Sequence, residues 1–272
     1  MPELPEVETI ARGLAQRVRG DKIEAVWIGE KPEPLKSTAQ DIVDALEGTA
    51  IVSVRRVGKQ IVFDLEAEGA KPKMRQWIVH LGMTGRMLVV SHGTAIENHT
   101  HAVVTLASGR ELRFVDPRRF GRLSVRRESD FQGTGVEPLE IGAPEFIRLF
   151  RKRSSPIKAA LLNQKLLHGV GNIYADEALF RAGIRPRRRA NALTRAQLTK
   201  LHWSIQEVLR EAIALGGSSV SDYVDANGEK GFFQLRHHVY LRTGQPCHVC
   251  RTPIRRITVG GRGTHYCPKC QK

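Results

Sequence analysis

The chain lacks any apolar run approaching the roughly 18 residues that a membrane helix needs, so no helical span is expected. Its first residues are acidic and carry no apolar h-region, which argues against a secretory signal peptide and for a soluble protein of the reducing cytoplasm. In that setting the Asn98-His99-Thr100 sequon has no bearing on glycosylation. Internal repeats and low-complexity segments are absent. Acid is scarce too: 28 Asp and Glu face 43 Lys and Arg, and no acid follows Glu229. The net charge of +15 and pI near 10.1 do not specify a fold, but they predict a polyanionic partner bound with release of counterions.

Cysteine is confined to Cys247, Cys250, Cys267 and Cys270, two C-x2-C pairs separated by 16 residues. Cytosolic thiols at this spacing read as one tetrahedral zinc site, since two disulfides need an oxidising compartment and incidental buried cysteines do not fall into two such pairs. Four thiolates leave no open position for water, so the one Zn2+ is expected to be structural. They also leave a local charge of −2. Arg236, Arg242, Arg251, Arg255, Arg256, Arg262, Lys269 and Lys272 still give this tail a clear positive excess. A metal-stapled basic finger points to nucleic acid.

Hydrophobic periodicity divides the rest. Val7, Ile10, Ala11, Leu14 and Val18 share one helical face, with Pro5 suited to the first turn and Gly20 beyond the end. The period then becomes two, and strands are expected over 22–29, 51–57, 60–65, 77–81, 86–90, 102–106, 111–115 and 122–125. Turns at Gly58-Lys59 and at Ala107-Ser108-Gly109 join neighbours as hairpins, and the whole reads as a sandwich or barrel of about 130 residues. The Gly- and Pro-rich stretch 133–142 reads as a linker. Helices are expected over 144–152, 156–166, 173–182 and 194–215, a mobile loop over 218–234, and a zinc hairpin at the end. The division is therefore 1–132, 133–235 and 236–272, an α+β chain.

The opening MPELPEVET places a small residue after the initiator Met, which usually permits removal of that Met and exposes a prolyl amine. At pH 7 an α-amine is neutral a few hundredfold more often than lysine, as an upper figure for proline. Attack of a secondary amine on a sugar aldehyde carbon gives an iminium that stays cationic without a proton, an electron sink for eliminating flanking phosphates. Glu3 and Glu6 sit where an acid can protonate a leaving sugar oxygen. Taken alone, Pro, Glu and Pro are also ordinary helix-start residues favoured by the helix dipole.

Three further segments, HLGMTGRM, VDPRRFGRL and LLHGVGNIYADEALFRAGI, place unusual residues at element ends. With PELPEVET and the terminal finger, they make the chain similar over its whole length to the bacterial formamidopyrimidine-DNA glycosylases, bifunctional base-excision repair enzymes. The resemblance implies an N-terminal β-sandwich carrying the first helix, a helix-two-turns-helix domain and a zinc-finger β-hairpin. Duplex DNA containing an oxidised base would lie in the basic cleft between domains, on a monomer. Base excision followed by β,δ-elimination is the implied activity, with no redox or nucleotide cofactor.

By that resemblance Pro2 is the nucleophile at the sugar C1′, Glu3 the acid on the ring oxygen, and Glu6 an organiser of the site. Lys59, in RRVGKQIVF, reaches the lesion's phosphate or base; by itself it is more commonly a solvated turn cation. A flipped-out base leaves a hole that apolar and planar wedges fill. Met83 and Phe120 are implied there, and Arg118 addresses the orphaned base with its planar fork. Without the family, Met83 and Phe120 read as core, and Arg119 competes with Arg118. His99 is implied to contact DNA, as is Lys158 near the lesion. The GVGN turn offers the N–H groups of Gly169, Gly171 and Asn172 at a helix start, a phosphate cradle in which Asn172 holds a backbone phosphate. Arg262, at the tip of the hairpin, would grip the phosphates beside the flipped nucleotide and belongs with the catalytic set; alone it is a hairpin cation. An endonuclease VIII-like enzyme acting on oxidised pyrimidines has the same fold and nucleophile, but typically a glycine where this chain has Leu4. A non-catalytic nucleic-acid binder that kept the finger would be marked by loss of Pro2, Glu3 or Lys59, and all three are present.

Overall fold

The computed structural model describes residues 1–67, 73–127, 130–219 and 231–272. They fall into two compact units, Met1–Gln132 with Gly216–Gly231, and Gly133–Leu215 with Phe232–Lys272.

The first unit begins with α1 (Leu4–Val18), which buries Leu4, Val7, Ile10, Ala11, Leu14 and Val18, the face expected from their spacing. Eight antiparallel strands follow: β1 (Ile23–Ile28), β2 (Thr49–Val57), β3 (Gln60–Ala67), β4 (Lys73–His80), β5 (Arg86–Ser91), β6 (Thr100–Leu106), β7 (Arg110–Val115) and β8 (Arg122–Arg126). They form two four-stranded sheets, ordered β1-β6-β7-β5 and β2-β3-β4-β8. Ile51, Ile61, Phe63 and Trp77 from one sheet share a single core with Met87, Val104, Leu112 and Phe114 from the other. Alternation thus aims one face of each sheet inward, as in a sandwich. A short helix, α2 (Ala39–Leu46), has no counterpart in the sequence reading. Its signal was present: Thr38 accepts the Asp41 N–H at 3.0 Å as N-cap, and Ile42, Ala45 and Leu46 are buried at helical spacing.

The second unit contains α3 (Ala143–Arg151), α4 (Ile157–Leu161), α5 (Asn172–Ala182) and α6 (Arg195–Ala214), then the hairpin β9 (Arg255–Val259) and β10 (Arg262–Tyr266). The helix expected over 156–166 stops at Leu161. Asn163 ends it, its side chain accepting the Lys165 N–H at 3.0 Å and its carbonyl the N–H groups of Leu166 and Leu167. Every residue from Ile173 to Phe180 of α5 is buried, so this helix is the keel of the unit. The stretch 133–142 is not a free linker. The Val136 N–H donates to the Leu166 carbonyl and the Val136 carbonyl accepts from His168, both at 3.1 Å. Of the loop expected over 218–234, residues 220–230 lie outside the described residues. No helix among the described residues is long and apolar enough to cross a membrane.

Candidate active site and nucleic-acid interface

The first unit gathers its unusual residues around the chain start. Pro2, Glu3 and Glu6 are buried, Glu3 only 4% and Glu6 only 2% exposed. Glu3 is the N-cap of α1, and it forms a reciprocal capping box with Glu6, whose Oε2 accepts the Glu3 N–H at 2.8 Å. The other Glu6 oxygen accepts the Ser218 N–H at 2.7 Å. Gly217 permits that approach: its φ is +81°, and a Cβ there would lie 2.9 Å from Glu6 Oε1. The helix-start reading is therefore true of backbone geometry, yet it leaves two carboxylates buried beside the N-terminal amine, where plain caps are solvated. With Met1 in place that amine belongs to Met1, and the Pro2 nitrogen is a peptide nitrogen with no lone pair to give. Burial holds the amine below its ordinary pKa. Lys59 and Arg118 push the same way, and Glu3 and Glu6 oppose them. Glu3, Glu6, Lys59 and Arg118 thus act on one point.

Lys59 sits in the two-residue turn between β2 and β3, closed by the Val57–Gln60 pair. Arg56 ties that turn to α1, its Nε donating to Glu8 at 2.8 Å and Nη1 to the Gly58 carbonyl at 3.2 Å. Beside it, the Nδ1 of His80 accepts the Gly82 N–H at 3.0 Å, which requires a neutral ring nitrogen. Burial, helped by Arg122 and Lys59, takes His80 down to a pKa of about 4 from the ordinary 6.5. The unfolded chain then binds a proton between those values that the folded unit does not. The stabilisation from neutral His80 is complete above pH 6.5 and is lost as pH falls toward 4. We expect thermal unfolding of this unit to move down between pH 7 and pH 5, and by less in His80→Gln; equal shifts in both proteins would place the acid lability elsewhere.

Two turns carry the residues implied to fill the helix. Met83 lies between β4 and β5, 42% exposed; Phe120 lies between β7 and β8, 52% exposed; neither is core. The turns meet backbone to backbone. A Cβ on Gly82, whose φ is +64°, would lie 2.5 Å from the Phe120 carbonyl carbon and the Gly121 nitrogen. One fully buried carboxylate, Asp116, holds both. Its Oδ1 accepts from Thr84 Oγ1 at 2.6 Å and from the Arg118 N–H at 3.3 Å, and its Oδ2 accepts the Gly121 N–H at 2.7 Å. The Asp116 N–H donates to the carbonyl of His99, an exposed residue with φ 67°, at 3.0 Å, which brings His99 to the same edge. The competition between the arginines is visible: Arg119 pairs with Glu33 at 2.6 Å, whereas the Arg118 guanidinium lies 4.8 Å above the Phe120 ring. Asp116 and His80 were not singled out in the sequence. An acid directly before a Pro-Arg-Arg turn was the available sign, because such a carboxylate can collect the turn's N–H groups.

In the second unit the four cysteine sulfurs lie within 4.8 Å of one another, with Cys247–Cys270 at 3.9 Å and Cys250–Cys267 at 3.4 Å. A tetrahedron with Zn–S of about 2.3 Å has edges of about 3.8 Å. The donor set fits one zinc ion held by these four residues. Phe180, Val239 and Ile254 pack around the knuckles. Gly260 and Gly261 connect β9 to β10, and Arg262, exposed, opens β10 opposite Val259.

The other expected DNA contacts in this unit are differently placed. Lys158 is fully buried, 2.6 Å from Asp176 Oδ1, and donates to Thr264 Oγ1 at 2.7 Å and to the Gly263 carbonyl at 3.2 Å. Its ammonium is thus paired with Asp176 and bonded to the hairpin inside the unit, and it is not on the surface. Asn172, the first residue of α5, donates one amide hydrogen to the same Gly263 carbonyl at 3.0 Å. The Gly169 N–H, expected in the phosphate cradle, instead donates to Gln164 Oε1 at 2.9 Å. Two neighbouring acids of α5 seat the finger. Asp176 Oδ2 accepts the His265 N–H at 2.8 Å. Glu177 accepts the N–H groups of His238, Val239 and Tyr240, each at 2.9 Å, and burial outweighs those bonds to raise its pKa. Neither acid is marked by a motif of its own; the sign in the sequence is a pair of acids in a largely apolar helix, since buried charge persists only with partners.

Known proteins are similar to this chain over its whole length. The chain matches family models for the formamidopyrimidine-DNA glycosylase N-terminal domain over residues 1–123, for the H2TH domain of the same enzymes over 135–224, and for the zinc finger found in FPG and IleRS over 244–272. It is 46% identical to the formamidopyrimidine-DNA glycosylase of Solibacter usitatus over 275 residues, covering all of both chains. The crystal structure of MutM (Fpg) from Thermus thermophilus is similar with a TM-score of 0.86 and 43% identity over 99% of this chain and 98% of that one. A Lactococcus lactis Fpg variant in complex with Fapy-dG-containing DNA gives a TM-score of 0.90 and 34% identity over the whole of both chains. With all three regions matched in order and full-length relatives near half identical, this chain belongs to the formamidopyrimidine-DNA glycosylase family.

Proposed function

We propose that the protein is a DNA glycosylase with lyase activity that removes oxidised purines, 8-oxoguanine and formamidopyrimidines, from duplex DNA, working as a monomer. The convergence of Glu3, Glu6, Lys59 and Arg118 on an N-terminal amine of lowered pKa carries this reading. Removal of Met1 moves the amine one residue inward, to Pro2 beside Glu3. Its lone pair attacks C1′ as the bond to the base breaks, and the proton that the amine gives up leaves with the base. Glu3 protonates the ring oxygen, the sugar opens, and an iminium joins Pro2 to C1′. Loss of a C2′ proton then expels the 3′-phosphate, and a second elimination expels the 5′-phosphate. Lys59 holds the lesion's phosphate or base. Met83 and Phe120 fill the vacated stack, and Arg118 reads the orphaned base with His99 at the same edge. Residues 133–235 and 236–272 supply the backbone grip through Asn172 and Arg262, the exposed cation that opens β10.

Borohydride trapping of untagged protein on a duplex with 8-oxoguanine opposite cytosine tests the reading. Reduction of the iminium should leave a covalent adduct that peptide mapping places on Pro2. Protein shown to lack Met1 and to contain zinc, yet yielding no adduct, would instead be a non-catalytic binder. Parallel trapping on an oxidised pyrimidine ranks the endonuclease VIII-like alternative.

Arg118→Ala should relax the preference for cytosine opposite the lesion by about 5- to 150-fold, the value of one bidentate base contact of roughly 1–3 kcal/mol. Relative excision rates opposite the four bases measure this. Full preference retained in Arg118→Ala would reassign the role, with Arg119 first in line.

A further inference from the structure

The backbone of Arg262 is held from inside the second unit, which matters for function if Arg262 is the phosphate ligand of the proposed reading. Two side chains of the second unit, Lys158 and Asn172, converge on the two residues that follow Arg262, and a third, Asp176, holds the next residue, His265. Lys158 from α4 and Asn172 from α5 donate to one acceptor, the Gly263 carbonyl, at 3.2 and 3.0 Å. Lys158 also donates to Thr264 Oγ1 at 2.7 Å, and that hydroxyl donates onward to the Arg262 carbonyl at 3.0 Å. Behind Lys158 stands Asp176, with one oxygen 2.6 Å from Nζ and the other accepting the backbone N–H of His265 at 2.8 Å. Lys158, Asp176 and Thr264 are each 0% exposed. A cation and a carboxylate so far from solvent are costly unless they are paired and their remaining hydrogen-bond capacity is used. Here that capacity is spent on the strand that begins with Arg262.

We infer that the buried Lys158–Asp176 pair, with Thr264 and Asn172, is a clamp that fixes the backbone of Arg262, so that Lys158 and Thr264 are positioning residues for the phosphate grip. Lys158 acts on DNA only through this hairpin. A guanidinium on an exposed hairpin otherwise samples many directions, and ordering it on binding opposes affinity; a clamped backbone removes part of that loss beforehand. Arg262 itself, on the exposed side of the strand, is left to meet the ligand.

Equilibrium binding of the full-length, zinc-loaded protein to a duplex carrying a tetrahydrofuran abasic site tests the clamp, with Kd measured across a salt series. The proteins are the unaltered chain, Arg262→Ala, Lys158→Met, Thr264→Val and the two double variants with Arg262→Ala. Zinc content is assayed in each. Arg262→Ala should lower the log–log salt slope by about 0.9, one phosphate contact. Lys158→Met and Thr264→Val should each lower it in the same direction by up to that amount, and neither should change Kd or slope further once Arg262 is gone. Thr264→Val removes only a hydroxyl and no charge, so it decides the matter should Lys158→Met fold poorly or lose zinc. Weakening by Thr264→Val that persists undiminished in the Arg262→Ala background overturns the clamp while leaving the phosphate grip intact. Unchanged Kd and slope in Thr264→Val with full zinc overturns it equally. An unchanged slope in Arg262→Ala alone overturns the grip, and with it the clamp.

Discussion

Glu3→Gln should lower base excision by about 10²- to 10⁴-fold, the range lost when a positioned acid is removed, while affinity for a lesion duplex stays within a few-fold. The substitution is informative because Glu3 has two separable duties. As N-cap it needs only an oxygen that accepts the Glu6 N–H, and glutamine keeps one. As acid it needs a proton to give, and glutamine has none of suitable acidity. Glu3 is 4% exposed and shares the chain start with the N-terminal amine, so solvent is poorly placed to substitute. Single-turnover excision of 8-oxoguanine, alongside binding to the same duplex, separates the duties. Excision by Glu3→Gln at the unaltered rate would remove the acid role, and equal loss of binding and excision would show a damaged helix start instead.

The second large effect is expected on withdrawing zinc. Structural zinc contributes on the order of 10–16 kcal/mol to the folding of small finger peptides. Here the ion's contribution is shared with protein contacts: Glu177 holds the chain at His238, Val239 and Tyr240, and Asp176 holds it at His265. Those contacts lie outside the knuckles, whose sulfurs would repel as thiolates without the ion. Chelation should therefore unfold residues 244–272 locally and release Arg262, while the sandwich core persists. The expected signature is loss of hydrogen-exchange protection in β9 and β10, with protection in α1 and β3 retained and abasic-duplex affinity reduced by at least tenfold. Metal-free protein that keeps β9–β10 protection and its DNA affinity would show that Asp176, Glu177 and Lys158 suffice to hold the finger.

Much of this was legible in the linear chain because local rules dominate it. The alternation of β2 through β8 and the 3.6 spacing of α1 required only that apolar side chains face one way. The four cysteines announced their geometry by spacing, since two C-x2-C pairs close on one tetrahedral ion. PELPEVET, DPRRFG and GVGNIYADE carried the family. Reading stopped where burial decided. Lys158 looked like a cation for DNA, and the fold instead buries it against Asp176, because α4 and α5 enclose that position. The end of α4 at Leu161 and the existence of α2 turned on side-chain caps at Asn163 and Thr38, which propensity alone underweights. Met83 and Phe120, apolar by type, proved exposed, since the turn that Asp116 ties together lifts them off the core. By itself the sequence determined the strands, the long helices, the metal ligands and the chain's own excess of positive charge, all properties of short windows or composition. Tertiary structure alone decided which arginine of the pair is committed, which lysine is spent inside, and that Asp116, Asp176 and Glu177 organise the rest. Those roles depend on hydrogen-bond partners far away in the chain, which no local pattern encodes.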